Sequence, residues 1–201
     1  MEYYRQGEFS KAVKIFEDVY KKKKVKAIYI KYVNCLIKTQ DYKKAEKIIK
    51  SFYKKNEDPA TLVDLGALYS LQGKEKLANE KFEDAIKEAK YNNRTLASVA
   101  HKLLKEKFYE PALEAYKLAK QESNIASYCI QIANIHSYLG DIEKMYEELV
   151  TLVYTHPNYF QTCKNKLRIS ISDDSENSNN KKLKKRKEKR VFYAFHPRNG
   201  Q

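Results

Sequence analysis

The side chains able to do chemistry in this sequence are few and scattered. There are four histidines, His101, His136, His156 and His196, and three cysteines, Cys35, Cys129 and Cys163. Cys129 and His136 stand seven residues apart, which would bring a thiol and an imidazole onto one helical face as a conceivable metal pair. Their positions in the pattern described below favour an ordinary core role instead. CxxC and CxxH spacings are absent, and so are GxSxG, P-loop, GxGxxG, HExxH and EF-hand spacings. The expectation is therefore a chain with no catalytic group, no metal site and no cofactor. Its odd, widely spaced cysteines read as free, mostly buried thiols in a reducing compartment.

Charge is the strongest bulk signal. Lys and Arg number 40 against 26 Asp and Glu, a formal net charge of +14. Residues 171–201 contribute nine Lys and Arg against four Asp and Glu, a net +5. Within them "KKLKKRKEKR" at 181–190 offers phosphate contacts but interleaves no aromatic residue for base readout. The favoured reading is a basic, largely disordered tail after the polar stretch "SISDDSENSNN"; a nucleic-acid-associated protein using that tail is the alternative. The "VFYAF" cluster near the end has no amphipathic pattern that explains it. Acidic groups such as Glu143, Glu147 and Glu148 read as solvated helix faces. No apolar run reaches the roughly 18 residues a membrane span needs, and residues 1–20 lack an apolar signal core. The expected location is cytoplasmic, with export left open if the true start lies upstream.

Whatever chemistry these residues do depends on the elements that carry them, and those elements repeat. Ala12, Ala45, Ala78, Ala112 and Met145 share one offset at a period of about 33 residues. Four residues after each lie Phe16, Ile49, Phe82, Tyr116 and Leu149, and seven after lie Val19, Phe52, Ala85, Ala119 and Leu152. Five before lie Gly7, Gln40, Gly73, Lys107 and Gly140. Upstream of each alanine runs a second set, such as Leu62, Leu65, Gly66 and Tyr69, at i, i+3, i+4 and i+7. Both sets are single faces of α-helices. Each unit therefore reads as helix, tight turn, helix, with glycine or a polar residue at the turn. Small residues at Gly66 and Ala78 predict close approach of the two helices.

This pattern resembles the tetratricopeptide repeat, a helix-turn-helix family of about 34 residues per unit. The likeness covers residues 1–157 in five units, with a further helix at 158–170 read as a cap and the tail at 171–201. The family's usual Trp is replaced by Tyr29, Leu62, Leu96 and Cys129. The first unit is incomplete, because Met1 aligns near the middle of its first helix; the expectation is a fragment of a longer repeat protein. The resemblance implies an all-α, right-handed superhelical solenoid of stacked antiparallel helix pairs. It implies a non-enzymatic scaffold that binds a peptide or protein segment in an inner groove.

Carried onto this sequence, the family's groove offsets select Lys31, Asn34 and Lys38 in the second unit. They select Val63, Asp64 and Ala67 in the third, Arg94, Ser98, His101 and Lys105 in the fourth, and Gln131, Asn134 and Tyr138 in the fifth. With Arg5 added, these offsets hold five basic residues and a single acid, Asp64. The shortage of acids tilts the expected partner toward an acidic segment or a terminal carboxylate. The clamp by which some family members hold chaperone tails is not matched. Lys31 and Asn34 stand three apart rather than four, and Asp64 would repel a carboxylate at the next repeat, leaving only Arg94.

Overall fold

The computed structural model describes residues 2–123 and 126–170. The basic decamer, the "VFYAF" cluster and His196 lie outside the described residues. The chain divides into two compact units, Met1–Lys102 and Leu103–Gln201, with the boundary inside one helix. Every regular element among the described residues is helical.

The first unit runs through α1 (Glu2–Arg5), α2 (Phe9–Lys22), α3 (Lys26–Lys38), α4 (Tyr42–Asn56), α5 (Ala60–Ser70), α6 (Glu75–Ala89) and most of α7 (Asn93–Lys105). The second begins in the last turn of α7 and continues through α8 (Tyr109–Glu122), α9 (Ala126–Tyr138) and α10 (Ile142–Thr155). A single 3₁₀ turn at Pro157–Tyr159 then leads into α11 (Phe160–Ser170).

The repeat positions form the core. Ala12, Ala45, Ala78, Ala112 and Met145 are all buried, as are Phe16, Ile49, Phe82, Tyr116 and Leu149 four residues on. The positions where the family places Trp are filled by Tyr29, Leu62, Leu96 and Cys129, each also buried. Tyr29 lies flat on Phe52, with ring centroids 3.9 Å apart and planes 12° from parallel, so an aromatic stack from α3 to α4 fills that space. In the second unit, α11 joins the core of α9 and α10 through Cys163 and Leu167.

The turns between paired helices are one motif used five times. The residue five before each core alanine or methionine has left-handed backbone: φ is 76° at Gly7, 58° at Gln40, 70° at Gly73, 66° at Lys107 and 73° at Gly140. The next N–H bonds back to a carbonyl five residues earlier, as in Asp41 to Leu36 at 2.9 Å, Lys74 to Tyr69 at 3.0 Å and Asp141 to His136 at 2.8 Å. This is the Schellman ending, which closes the first helix and reverses the chain. Gln40 and Lys107 adopt it without glycine, at a strain of roughly 1–2 kcal/mol each. Asp41 and Asp141, one step on, cap α4 and α10 by accepting the Lys44 N–H at 3.1 Å and the Lys144 N–H at 3.5 Å.

Close approach within a pair is sharpest between α5 and α6. A Cβ at Gly66 would lie 2.7 Å from Phe82 Cδ1 and 3.0 Å from the Ala78 carbonyl oxygen. The helix α5 is buried on nearly every side, from Ala60 through Tyr69, because its sequence has apolar residues all round. That corrects one groove expectation: Val63 is fully covered and unavailable to any partner.

Two substitutions separate the steric constraint from the backbone constraint. Gly66→Ala adds a methyl against a buried ring and a carbonyl, an overpacking cost of about 1–3 kcal/mol. This outweighs a helix-propensity gain of about 1 kcal/mol. Lys107→Gly relieves left-handed strain of about 1–2 kcal/mol against a backbone-entropy loss of about 0.5–1 kcal/mol. Denaturation followed by far-UV circular dichroism should show the first variant less stable and the second slightly more stable than the parent. A Gly66→Ala protein as stable as the parent would mean that the two helices do not abut there.

Candidate functional site

The groove residues selected by the repeat are distributed over four first helices, and their surroundings differ. On α3, Lys31, Asn34 and Lys38 follow one another at helical spacing; the first two are half-buried and Lys38 is exposed. On α7, Arg94, Ser98, His101 and Lys105 are all exposed. Arg94 and Lys38 have no ion-pair partner among the described residues. On α9, Gln131 and Asn134 are half-buried and Tyr138 is 63 % exposed.

Asp64 departs from the sequence reading. Its carboxylate accepts the Tyr29 hydroxyl at 2.7 Å and pairs with Lys102 Nζ at 2.7 Å, both side chains of the ion pair being 23 % exposed. Its charge is thus paired within the fold, which weakens the repulsion expected of it toward a carboxylate. Lys102 was not among the selected residues, since only three-dimensional packing brings it to Asp64 from 38 positions away. The Tyr29 phenol, buried beside that carboxylate, has its pKa pushed up, first by burial and then by the Asp64 charge.

Asn134 is similarly engaged. Its side-chain oxygen accepts Lys166 Nζ at 2.6 Å, from α11, while its amide donates to Gln131 at 3.4 Å. Tyr138 stacks on Tyr109 of α8, with centroids 5.1 Å apart and an interplanar angle of 23°. The structure therefore brings together Asp64 with Lys102, Asn134 with Gln131 and Lys166, and Tyr138 with Tyr109.

These contacts belong to a wider arrangement in which polar side chains of successive first or second helices meet. Lys26 reaches Asp58 at 2.9 Å, Lys44 reaches Glu17 at 2.7 Å, Tyr53 reaches Glu88 at 2.6 Å and Lys120 reaches Glu148 at 2.6 Å. Glu148, expected to be solvated, is instead held by Lys120 with 20 % of its side chain exposed. Each such pair contributes about 0–1 kcal/mol at this degree of exposure.

The chemically capable residues are placed as follows. Cys35, Cys129 and Cys163 are buried, and burial pushes the Cys35 thiol up to about 11 and raises the other two as well. Such thiols are poor nucleophiles. His136 is 4 % exposed, its Nδ1 has no hydrogen-bond partner, and the Asp141 carboxylate stands 3.9 Å away. Among the described residues, no group of three or more His, Cys, Asp or Glu side chains is arranged to hold a metal ion. No described helix is long and apolar enough to cross a membrane.

No family model matches the chain, and no curated protein matches it. Solved structures do. YrrB, a TPR protein with an unusual peptide-binding site, is 16 % identical over 82 % of this chain and 86 % of its own, with a TM-score of 0.41. The C-terminal part of a TPR repeat-containing protein from Cytophaga hutchinsonii is 13 % identical over 97 % of this chain and 77 % of its own, with a TM-score of 0.45. MamA is 14 % identical over 82 % of this chain and 90 % of its own, with a TM-score of 0.44. The paired helices of this chain are consistent with a tetratricopeptide-repeat protein. The period, the buried alanine on four of the five second helices and the Schellman turn carry that statement by themselves.

The burial of His136 predicts a pH dependence of stability. Burial pulls its pKa below the ordinary value, opposed by the Asp141 carboxylate. In the unfolded chain the imidazole takes up a proton near pH 6.5, about its unperturbed value, whereas the folded protein resists doing so until lower pH. The contribution is complete above the unfolded pKa and declines as the pH falls toward the folded one. Denaturant midpoints measured from about pH 7.5 to about pH 5.5 should fall, and His136→Phe should flatten that slope. An unchanged slope in the variant would remove His136 as its cause.

Proposed function

We propose that this chain is a non-enzymatic scaffold that holds an acidic peptide or protein segment against the exposed faces of its first helices. The observation that carries the reading is the pairing of Asp64. It is the one acidic side chain at the groove offsets, and Lys102 and Tyr29 both engage it. With that charge met, exposed Lys38 and Arg94 set the electrostatic sign in the first unit, and opposite charge on a partner speeds and orients its encounter. In the second unit, Tyr138 and Tyr109 present a stacked aromatic surface two helical turns from Gln131, a type of residue enriched where partners bind. The buried cysteines, with their thiols held protonated, favour a binding role over nucleophilic chemistry.

Fluorescence anisotropy with labelled acidic, neutral and basic peptides of equal length tests this. The acidic peptide should bind most tightly, and more weakly as salt rises. The Lys38→Glu/Arg94→Glu protein should lose roughly ten-fold or more in affinity. Asp64→Asn, which releases Lys102, should tighten binding. Equal binding of the basic peptide, or indifference to charge reversal, would refute the acidic-segment reading.

A further inference from the structure

Each helix pair of the first unit has two ends. The tight turn closes one, and the chain leaves by a loop at the other, so the loops after α2, α4 and α6 share a side. Two contacts join them. Lys26, at the start of α3, reaches Asp58 in the loop after α4 at 2.9 Å. The Tyr53 hydroxyl, in the last turn of α4, donates to Glu88 in the last turn of α6 at 2.6 Å.

The loop edge is charged quite differently from the turn edge. Residues 21–26, 53–58 and 87–92 hold nine lysines and three acids. The turns at 5–10, 37–42 and 71–76, equal in length, hold four basic residues and three acids. Two of the three acids on the loop edge are engaged within the fold. Asp58 accepts from Lys26 and from the Ala60 N–H at 3.0 Å, and Glu88 accepts from Tyr53. Lys22, Lys23, Lys24, Lys54 and Lys55 are exposed and have no ion-pair partner among the described residues.

Apolar side chains stand out among these lysines. Val25, between Lys24 and Lys26, is 50 % exposed, and Tyr91, in the loop after α6, is 87 % exposed. Lys90 Nζ lies 4.7 Å from the centroid of the Tyr91 ring. An aliphatic side chain and a phenol presented from a field of lysines suit the layer between water and hydrocarbon. There the ammonium groups meet lipid phosphates while the apolar parts leave water.

We propose that the loop edge of the first unit docks on an anionic lipid bilayer. The lysines of residues 21–26 and 54–55 lie over the headgroups, and Val25 and Tyr91 enter the headgroup layer. Each lysine close to such a surface contributes about 1 kcal/mol. Glu57 opposes the surface charge and limits the affinity. A nucleic-acid backbone would satisfy the same lysines but would gain nothing from Val25. The contact is peripheral, and it lies apart from the groove residues of the first helices and does not depend on them.

The test uses the full chain with vesicles of phosphatidylcholine alone and of equimolar phosphatidylcholine and phosphatidylserine. Co-sedimentation should show binding to the mixed vesicles that weakens as salt rises, and far less to phosphatidylcholine. Lys22→Gln/Lys23→Gln/Lys24→Gln should weaken that binding roughly a hundred-fold. The basic run at 181–190 is a second source of attraction. The triple change is therefore also read in a full-length chain carrying Lys184→Gln/Lys185→Gln/Arg186→Gln, where the loss should be as large. The chain has no Trp, so Tyr91→Trp supplies a single fluorophore. Its emission should move to the blue on mixed vesicles and be quenched by lipids with brominated acyl chains. Vesicle binding indifferent to the loop change would overturn the proposal, as would unshifted, unquenched emission from the bound Tyr91→Trp protein. A DNA duplex that binds more tightly than the vesicles, with the same sensitivity to the loop change, would assign the edge to nucleic acid instead.

Discussion

Two helices joined by a tight turn can close only as far as the side chains at their crossing permit. Here that limit is set by Gly66, whose α-carbon faces the Phe82 ring and the Ala78 carbonyl with no room for a methyl group. The other first helices carry buried Val33, Ala100 and Ala133 at the place of Gly66, and the other second helices carry buried Ala12, Ala45, Ala112 and Met145 at the place of Ala78. Closeness at this point allows the aromatic or aliphatic residue one turn on to reach across its pair. It also requires a sharp reversal between the helices, which the left-handed residue supplies. That Gln40 and Lys107 accept this backbone without being glycine indicates that the packing around them outweighs the local strain.

Polar contacts between successive units follow from the same geometry. Once helix pairs stack at a fixed period, side chains about one repeat apart arrive next to each other, as Tyr29 and Asp64 do, or Asn134 and Lys166. The partly exposed ion pairs among them add little stability. Their larger effect is on which side chains remain for a partner. Asp64 and Asn134 are turned toward the protein's own lysines, whereas Arg94 and Lys38 have no ion-pair partner among the described residues and Tyr138 is exposed. The electrostatic sign a ligand meets is therefore decided by internal pairing as much as by composition.

A few buried polar groups stand outside this economy of pairing. Tyr20, Tyr32, His136 and Tyr146 each bury an atom with no hydrogen-bond partner. Burial pushes the tyrosine pKa values up and the histidine pKa down, in each case away from the charged form. For His136 that direction is the basis of the expected loss of stability in acid. For Tyr20 and Tyr32 the outcome is a pair of covered hydroxyls without an acceptor, a local cost of packing two phenols into the core.

The sequence by itself determined the period, the helix pairs, the turn positions and nearly all of the core. Each of these depends on the spacing of residues along one helix, which the 3.6-residue turn translates directly into a face. It also marked Tyr138, Arg94 and His101 as exposed positions. Only the tertiary structure decided that Asp64 belongs to Lys102, that Asn134 belongs to Lys166, that Val63 is covered and that Glu148 is held rather than solvated. It alone set Lys26 beside Asp58 and Tyr53 beside Glu88. The physical reason is that a pattern assigns a side chain to a side of its own helix. What it meets there depends on the distance and rotation between that helix and others many residues away.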